Sequence, residues 1–267
     1  MKMNNLIIGN TSQIAHYFPR ENFKFISSRD IDFAEIKKKR WNTIFLCFGE
    51  QRTFLKDCAH QCMDINFDYT LCIINKVKKY CTKIVVYSTA ELWNEENGPI
   101  DLSTPFNHEP TPYLLSKERL TRELFQNSTD KTVTVLFPFN FNSVYRKPGF
   151  LFSKIFDSII NKKQIKIGNT YFYRDLLHSK FVVEESLKAK SHQIIGSGRI
   201  VHVNDFIRDL YGYFNMTYEN YVLEDLRACD KKRRKNVYFL NSPICLYAYK
   251  QLFEDTIKDL QTRGAKT

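Results

Sequence analysis

Lys83-Ile84-Val85-Val86-Tyr87-Ser88-Thr89-Ala90-Glu91 is an apolar, β-branched run that stops on two hydroxyls and, two residues later, a carboxylate. A run of this kind without polar alternation describes a strand covered on both faces, as in a parallel sheet. Further on, Pro112-Tyr113-Leu114-Leu115-Ser116-Lys117-Glu118-Arg119-Leu120 reads as a helix entered through a proline. Tyr113 and Lys117 stand at i and i+4, so the phenol and the ammonium share one helical face.

Toward the N-terminus the same alternation repeats. Asn5-Leu6-Ile7-Ile8-Gly9 reads as a short buried strand, followed at once by a turn and a helix. Phe23 to Arg29 reads as a second strand, with Ser28 and Arg29 at its tip and Asp30 next in line. Asp32-Phe33-Ala34-Glu35 resembles a capping box opening a helix. Ile44-Phe45-Leu46-Cys47-Phe48-Gly49 is a third strand, and a long helix from about Asp64 to Tyr80 leads back to Lys83. This order predicts an α/β protein with a Rossmann-like, doubly wound parallel sheet. Thr132 to Phe137 continues it, ending in Pro138-Phe139-Asn140. Beyond Lys147-Pro148-Gly149 amphipathic helices interleave with short strands such as Gln164-Ile165-Lys166-Ile167. The expected division is 1–146 for a dinucleotide-binding domain. The remainder, 147–267, forms a smaller α/β substrate lobe with some return to the sheet. The ligand crevice belongs at the carboxyl ends of the strands.

Composition narrows the function classes. The 267 residues are 43% hydrophobic and 15% aromatic, enough for a large core. No stretch reaches 18 apolar residues, so neither a signal peptide nor a membrane span is expected, and the chain reads as cytoplasmic. Seven cysteines form no CxxC pair and read as free thiols. Cys58 and Cys62, with His60 between them, read as helix packing, so no metal site is expected. The net charge of +11 suits an anionic ligand. The runs Lys37-Lys38-Lys39-Arg40 and Lys231-Lys232-Arg233-Arg234-Lys235 read as solvated faces, and nucleic acid is not an expected partner.

The Tyr–Lys pair carries the chemistry. A free phenol has a pKa of ~10, and bringing it to ~7 requires about 4 kcal/mol of anion stabilisation. A close cation supplies part of that, and a hydroxyl such as Thr89 can hold a substrate oxygen. These groups together suit reversible carbonyl–alcohol conversion. Gly9, Ser12 and Ala15 give a tight turn of small residues, compatible with a pyrophosphate approaching a helix N-terminus. Arginine at the tip of the second strand accommodates the extra phosphate of NADP, so NADP(H) is expected rather than NAD(H).

The residues resemble the extended short-chain dehydrogenase/reductase family, in the branch that acts on nucleotide-linked sugars. Under that resemblance Gly9, Ser12, Gln13 and Ile14 form the dinucleotide turn. Ser28, Arg29 and Asp30 lie near the adenosine end, and Cys47, Phe48 and Gly49 lie under the cofactor. Thr89, Tyr113 and Lys117 fall on the catalytic hydroxyl, tyrosine and lysine, with Glu91 on an acid/base position. Phe139 falls beside the nicotinamide, and Asn140 and Arg174 on the substrate. Ser88-Thr89-Ala90-Glu91-Leu92-Trp93, Pro112-Tyr113 and Arg174-Asp175-Leu176-Leu177-His178 are closer still to the GDP-mannose 4,6-dehydratase group. Ser28-Arg29-Asp30 is similar to the Thr-Arg-Asp strand tip of GDP-fucose synthase. The resemblance implies an NADPH-dependent reductase of a nucleotide-linked, GDP-type 4-keto-6-deoxy hexose or heptose, working as a homodimer. A 4,6-dehydratase using Glu91, an epimerase, and a non-catalytic dinucleotide-sensing or nucleic-acid-binding module are the alternatives.

Overall fold

The computed structural model describes residues 4–52, 58–94, 98–126, 132–225, 238–240 and 248–266. The second basic run, 231–235, and the cysteines at 229 and 245 lie outside them. Two compact units emerge, and they do not follow a single cut in the chain. The first comprises Met1–Asn94, Leu102–Pro138 and Val183–Ile195; the second takes Glu95–Asp101, Phe139–Val182 and Gly196–Thr267.

The first unit is built on six parallel strands: β1 (Asn5–Ile8), β2 (Phe23–Ile26), β3 (Trp41–Leu46), β4 (Cys81–Tyr87), β5 (Val133–Pro138) and β6 (Gln193–Ile195). Their order across the sheet is β6-β5-β4-β3-β1-β2. The central strands are β-branched and aliphatic because both of their faces are covered: Ile84, Val85 and Val86 of β4 are buried, as is every residue of β5. Strand order reverses between β1 and β3, and in open parallel sheets ligands bind at the carboxyl ends of the strands at such a switch point.

The helices depart from the expected pattern in length. The helix expected after Gly9 is a single 3₁₀ turn, Ile14–Tyr17. Pro19 explains the stop, since it drives Phe18 into an extended conformation (φ −71°, ψ 140°). Helix α1 is also short, Phe33–Lys37, capped by Asp32 accepting from the Glu35 amide at 3.1 Å. The reciprocal half of a capping box is replaced by a Glu35–Lys24 ion pair. The long helix begins before Asp64: α2 (Cys58–Met63) runs through a π turn, Asp64–Tyr69, into α3 (Thr70–Val77) and a final 3₁₀ turn to Tyr80. Helix α4 (Pro112–Gln126) carries the Tyr–Lys pair.

The second unit holds helices α5 (Leu151–Asn161), α7 (Val203–Tyr213) and α9 (Tyr249–Thr262). They pack through the rings of Phe152, Phe156, Phe206, Tyr249 and Phe253. Two-stranded ladders connect them, among them Asn140–Asn142 parallel to Leu176–His178. Buried His178 bonds Asp259 of α9 at 3.0 Å and accepts from the Lys180 amide, so it docks a helix. Helix α6 covers Ser179–Lys188.

Candidate active site

Gly9 ends β1 with φ +104°, a conformation that a side chain strains. A Cβ there would lie 2.9 Å from both the carbonyl carbon and oxygen of Cys47, so the first strand can approach the third only as glycine. The turn closes on itself: the Ser12 amide donates to the Gly9 carbonyl at 3.1 Å, and the Ala15 amide donates to Ser12. Gln13 and Ile14 are buried in it. At the tip of β2 Arg29 and Asp30 are exposed and Ser28 is half-buried, its carbonyl accepting from the Tyr69 hydroxyl. Across the switch point Cys47 is buried, with its thiol pKa pushed up by desolvation, Phe48 packs on Tyr69, and Gly49 is exposed.

Helix α4 is pinned to the sheet by polar contacts on its inner face. Thr111 caps it, accepting from the Leu114 amide at 3.2 Å, and Pro112 occupies the first turn. Ser88, at the end of β4, shares a 2.9 Å hydrogen bond with Thr121. The decisive contact is Lys117. Its Nζ is buried, donates to the Tyr87 carbonyl at 2.8 Å, and lies 3.6 Å from the Cβ position of Gly49. One ammonium thus sits where β3 and β4 end, two residues before Thr89 and one helical turn beyond Tyr113. Tyr113 is half-buried on the first turn of α4. Thr89 is 7% exposed, and its hydroxyl oxygen accepts from the Glu91 amide at 3.2 Å, capping the 3₁₀ turn Ala90–Trp93. The hydroxyl proton is not spent in that bond. Glu91 is half-buried on this turn.

Burial brings the Lys117 ammonium down from the ordinary 10.5 to about 8, an effect the neighbouring Cys62 partly opposes. At neutral pH the group is still about nine-tenths charged. Holding that charge in the fold costs roughly 3 kcal/mol. The folded pKa is depressed, so between about pH 8 and 10.5 the unfolded chain keeps a proton that the folded chain has released, and stability from this group rises with pH there. Urea unfolding at pH 7.5 and 9.5 is expected to show the parent gaining about 2 kcal/mol over Lys117→Met across that interval. Equal pH dependence in both proteins would contradict the depressed value.

Asn66 was not singled out from the sequence, yet it organises this corner. It is 1% exposed on the π turn; its side-chain oxygen accepts from the Glu50 amide at 2.8 Å. Its nitrogen donates to the Glu50 carbonyl at 2.9 Å and to Ser116 Oγ at 3.0 Å. The end of β3 is thereby tied to the residue beside Lys117. The available signal was a spacing of four, Cys58-Cys62-Asn66, that puts an amide in line with two small buried residues. Cys58 and Cys62 sit with their sulfurs 3.9 Å apart and both buried, while His60 is exposed and paired with Asp64. No cluster of metal-ligating side chains occurs among the described residues.

Gly9, Ser12, Gln13, Ile14, Ser28, Arg29, Asp30, Cys47, Phe48, Gly49, Thr89, Glu91, Tyr113 and Lys117 all belong to the first unit. Phe139, Asn140 and Arg174 belong to the second. Phe139 is buried against Gly196, where an added Cβ would meet its ring at 2.8 Å. Asn140 is half-buried and opens the ladder with Leu176. Arg174 donates to the Tyr173 carbonyl at 2.7 Å and lies over the Phe172 ring. Its neighbour Asp175 is fully buried, with its pKa pushed up to about 6 by desolvation, and accepts from Ser197 and Gly198.

No family model and no curated protein matches the sequence. Solved structures do match along almost the whole chain. A UDP-N-acetylglucosamine 4-epimerase from Methanobrevibacter ruminantium, in complex with UDP-N-acetylmuramic acid, superposes with a TM-score of 0.78 at 15% identity, covering 98% of this chain and 100% of that one. A dTDP-glucose 4,6-dehydratase from Bacillus anthracis in complex with NAD gives 0.76 at 17% identity, covering 97% of each. RMD from Pseudomonas aeruginosa, complexed with NADPH, gives 0.75 at 15% identity, covering 98% and 100%. The chain has the fold these three structures share, an α/β architecture built on a Rossmann-like parallel sheet.

Proposed function

We propose that the chain is an NADPH-dependent reductase of a nucleotide-linked 4-keto-6-deoxy sugar, most simply a GDP sugar. The observation that carries this reading is the buried Lys117 ammonium, bonded to Tyr87 at the end of the strand that leads into Thr89 and set one turn along the helix from Tyr113. A solvated lysine would need neither the burial nor the carbonyl. The residues fit a nicotinamide dinucleotide: Gly49 leaves the end of β3 without a side chain beside that ammonium, and Gly9 lets the adjacent strand close in. Gly9, Ser12, Gln13 and Ile14 would hold its phosphates, Ser28, Arg29 and Asp30 its adenosine end, and Cys47, Phe48, Gly49 and Phe139 the remainder. When bound, it supplies a hydride for the carbonyl carbon.

The chain's own residues handle the oxygen. The Thr89 hydroxyl donates to the carbonyl oxygen where charge develops. Tyr113 gives that oxygen its proton as general acid. Lys117 stabilises the phenolate left behind, at a site where low polarity strengthens the attraction. Asn140 and Arg174 are assigned to the sugar diphosphate, Arg174 as a bidentate cation. Glu91 takes a substrate hydroxyl or serves as a second acid/base.

Absorbance at the NADPH band on mixing with GDP-4-keto-6-deoxymannose, and with its heptose counterpart, tests the reading. Loss of signal with one of them is expected, with NADPH preferred over NADH at least tenfold and Arg29→Ala collapsing that preference. A keto product formed from GDP-mannose without added cofactor would replace the reductase with a dehydratase. Silence in both would favour a non-catalytic module.

A further inference from the structure

The first basic run has a companion that only the fold reveals. Lys37-Lys38-Lys39-Arg40 leads directly into β3, and Lys76, Lys78 and Lys79 lead directly into β4. Trp41 pairs with Cys81, so the two basic stretches end side by side at the amino-terminal edge of the sheet, whereas Gly9, Gly49 and Thr89 follow the carboxyl ends of their strands. Lys37, Lys38, Lys39, Arg40, Lys76 and Lys79 are exposed. Neither 36–41 nor 75–81 contains an acidic residue. Two helix C-termini end here, and each carries about half a negative charge. Seven cations exceed what those ends require.

We propose that this edge is a docking surface for an anionic lipid bilayer. Three observations select that occupant. The cations are lysine at six of seven positions, and lysine acts as a compact, hydrated point charge, whereas bidentate recognition of a protein carboxylate favours arginine. Among the described residues, no exposed large apolar side chain falls within 36–41 or 75–81, so neither basic stretch carries the anchor that a protein interface needs. The rings present are covered by the lysines themselves: Lys39 lies 4.0 Å over Trp41, Lys76 4.6 Å over Phe33 and Lys37 5.9 Å over Tyr80. Covered rings cannot stack bases, which sets single-stranded nucleic acid aside. What remains is a field of cations, six of them exposed, suited to a dense array of phosphates.

Sedimentation of the full chain with vesicles of 30 mol% phosphatidylserine in phosphatidylcholine tests this. Binding is expected at 0.1 M salt and release at 0.5 M, with none to pure phosphatidylcholine. Each charge near such a surface is worth about fivefold in partitioning. Lys38→Glu, Arg40→Glu and Lys79→Glu together should therefore weaken binding by at least a hundredfold, with thermal stability and NADPH turnover unchanged. These three positions are chosen because none covers a ring, and their glutamine versions provide a milder set if the reversals disturb folding. Absence of binding to the anionic vesicles, equal binding to neutral ones, unchanged binding by the variants, or binding to RNA in preference to vesicles would overturn the proposal.

Discussion

Tyr113→Phe is expected to lower turnover about a thousandfold while leaving dinucleotide affinity within a factor of two. The substitution deletes one oxygen from a half-buried ring on the first turn of α4. The capping hydroxyl of Thr111, the Lys117 bond to the Tyr87 carbonyl and the Ser88–Thr121 bond do not involve that oxygen. On the proposed mechanism what is lost is the proton donor, and a positioned general acid contributes typically 10²–10⁴-fold. Stopped-flow absorbance for the chemical step and protein fluorescence quenching for binding separate the two quantities. A variant with normal turnover would remove Tyr113 from the chemistry. One that failed to bind the cofactor would make the tyrosine a structural part of the pocket.

Gly9→Ala is expected to produce the largest loss of stability of any single methyl added to the first unit. The new Cβ meets Cys47 carbonyl atoms at 2.9 Å and the Phe48 nitrogen at 3.0 Å, all of them backbone. Backbone in the middle of a parallel sheet cannot step aside without breaking the β1–β3 ladder. The φ of +104° adds conformational strain to the clash. Together these should cost about 3–5 kcal/mol, enough to exhaust much of a typical domain's stability. Gly49→Ala provides the comparison, because its Cβ meets a side chain, Asn66 Oδ1 at 3.1 Å, and the ammonium at 3.6 Å. Thermal melts should rank Gly9→Ala well below Gly49→Ala, and the reverse order would mean the strands can separate at the switch point.

The fold was legible because the strands are unusually pure. Ile84-Val85-Val86 and Ile44-Phe45-Leu46 can only be covered on both faces, and Gly9 closes the first strand where a side chain would collide with the third. Helix length was less legible. It depends on where the chain can no longer adopt helical angles, and Pro19 stops the first helix after a single turn. Lys117 could be proposed from spacing alone, but its burial and its carbonyl partner are tertiary facts. Asn66 carried even less local information, since its value comes from a π turn that no periodicity of 3.6 anticipates. Arg174 and Phe139 were named by resemblance; the structure adds their own partners in the second unit, Tyr173, Phe172 and Gly196.

The interleaving of the two units has a consequence for how the protein is made. Strand β5 is finished at Pro138, but the neighbour that covers its outer edge, Gln193–Ile195, leaves the ribosome only after all of residues 139–182 have followed. During that interval a six-residue strand, buried along its whole length in the finished protein, presents unpaired N–H and C=O groups to the cell. Nascent chains of this protein therefore pass through a window in which self-association competes with completion, and slowing translation after residue 138 should lengthen it.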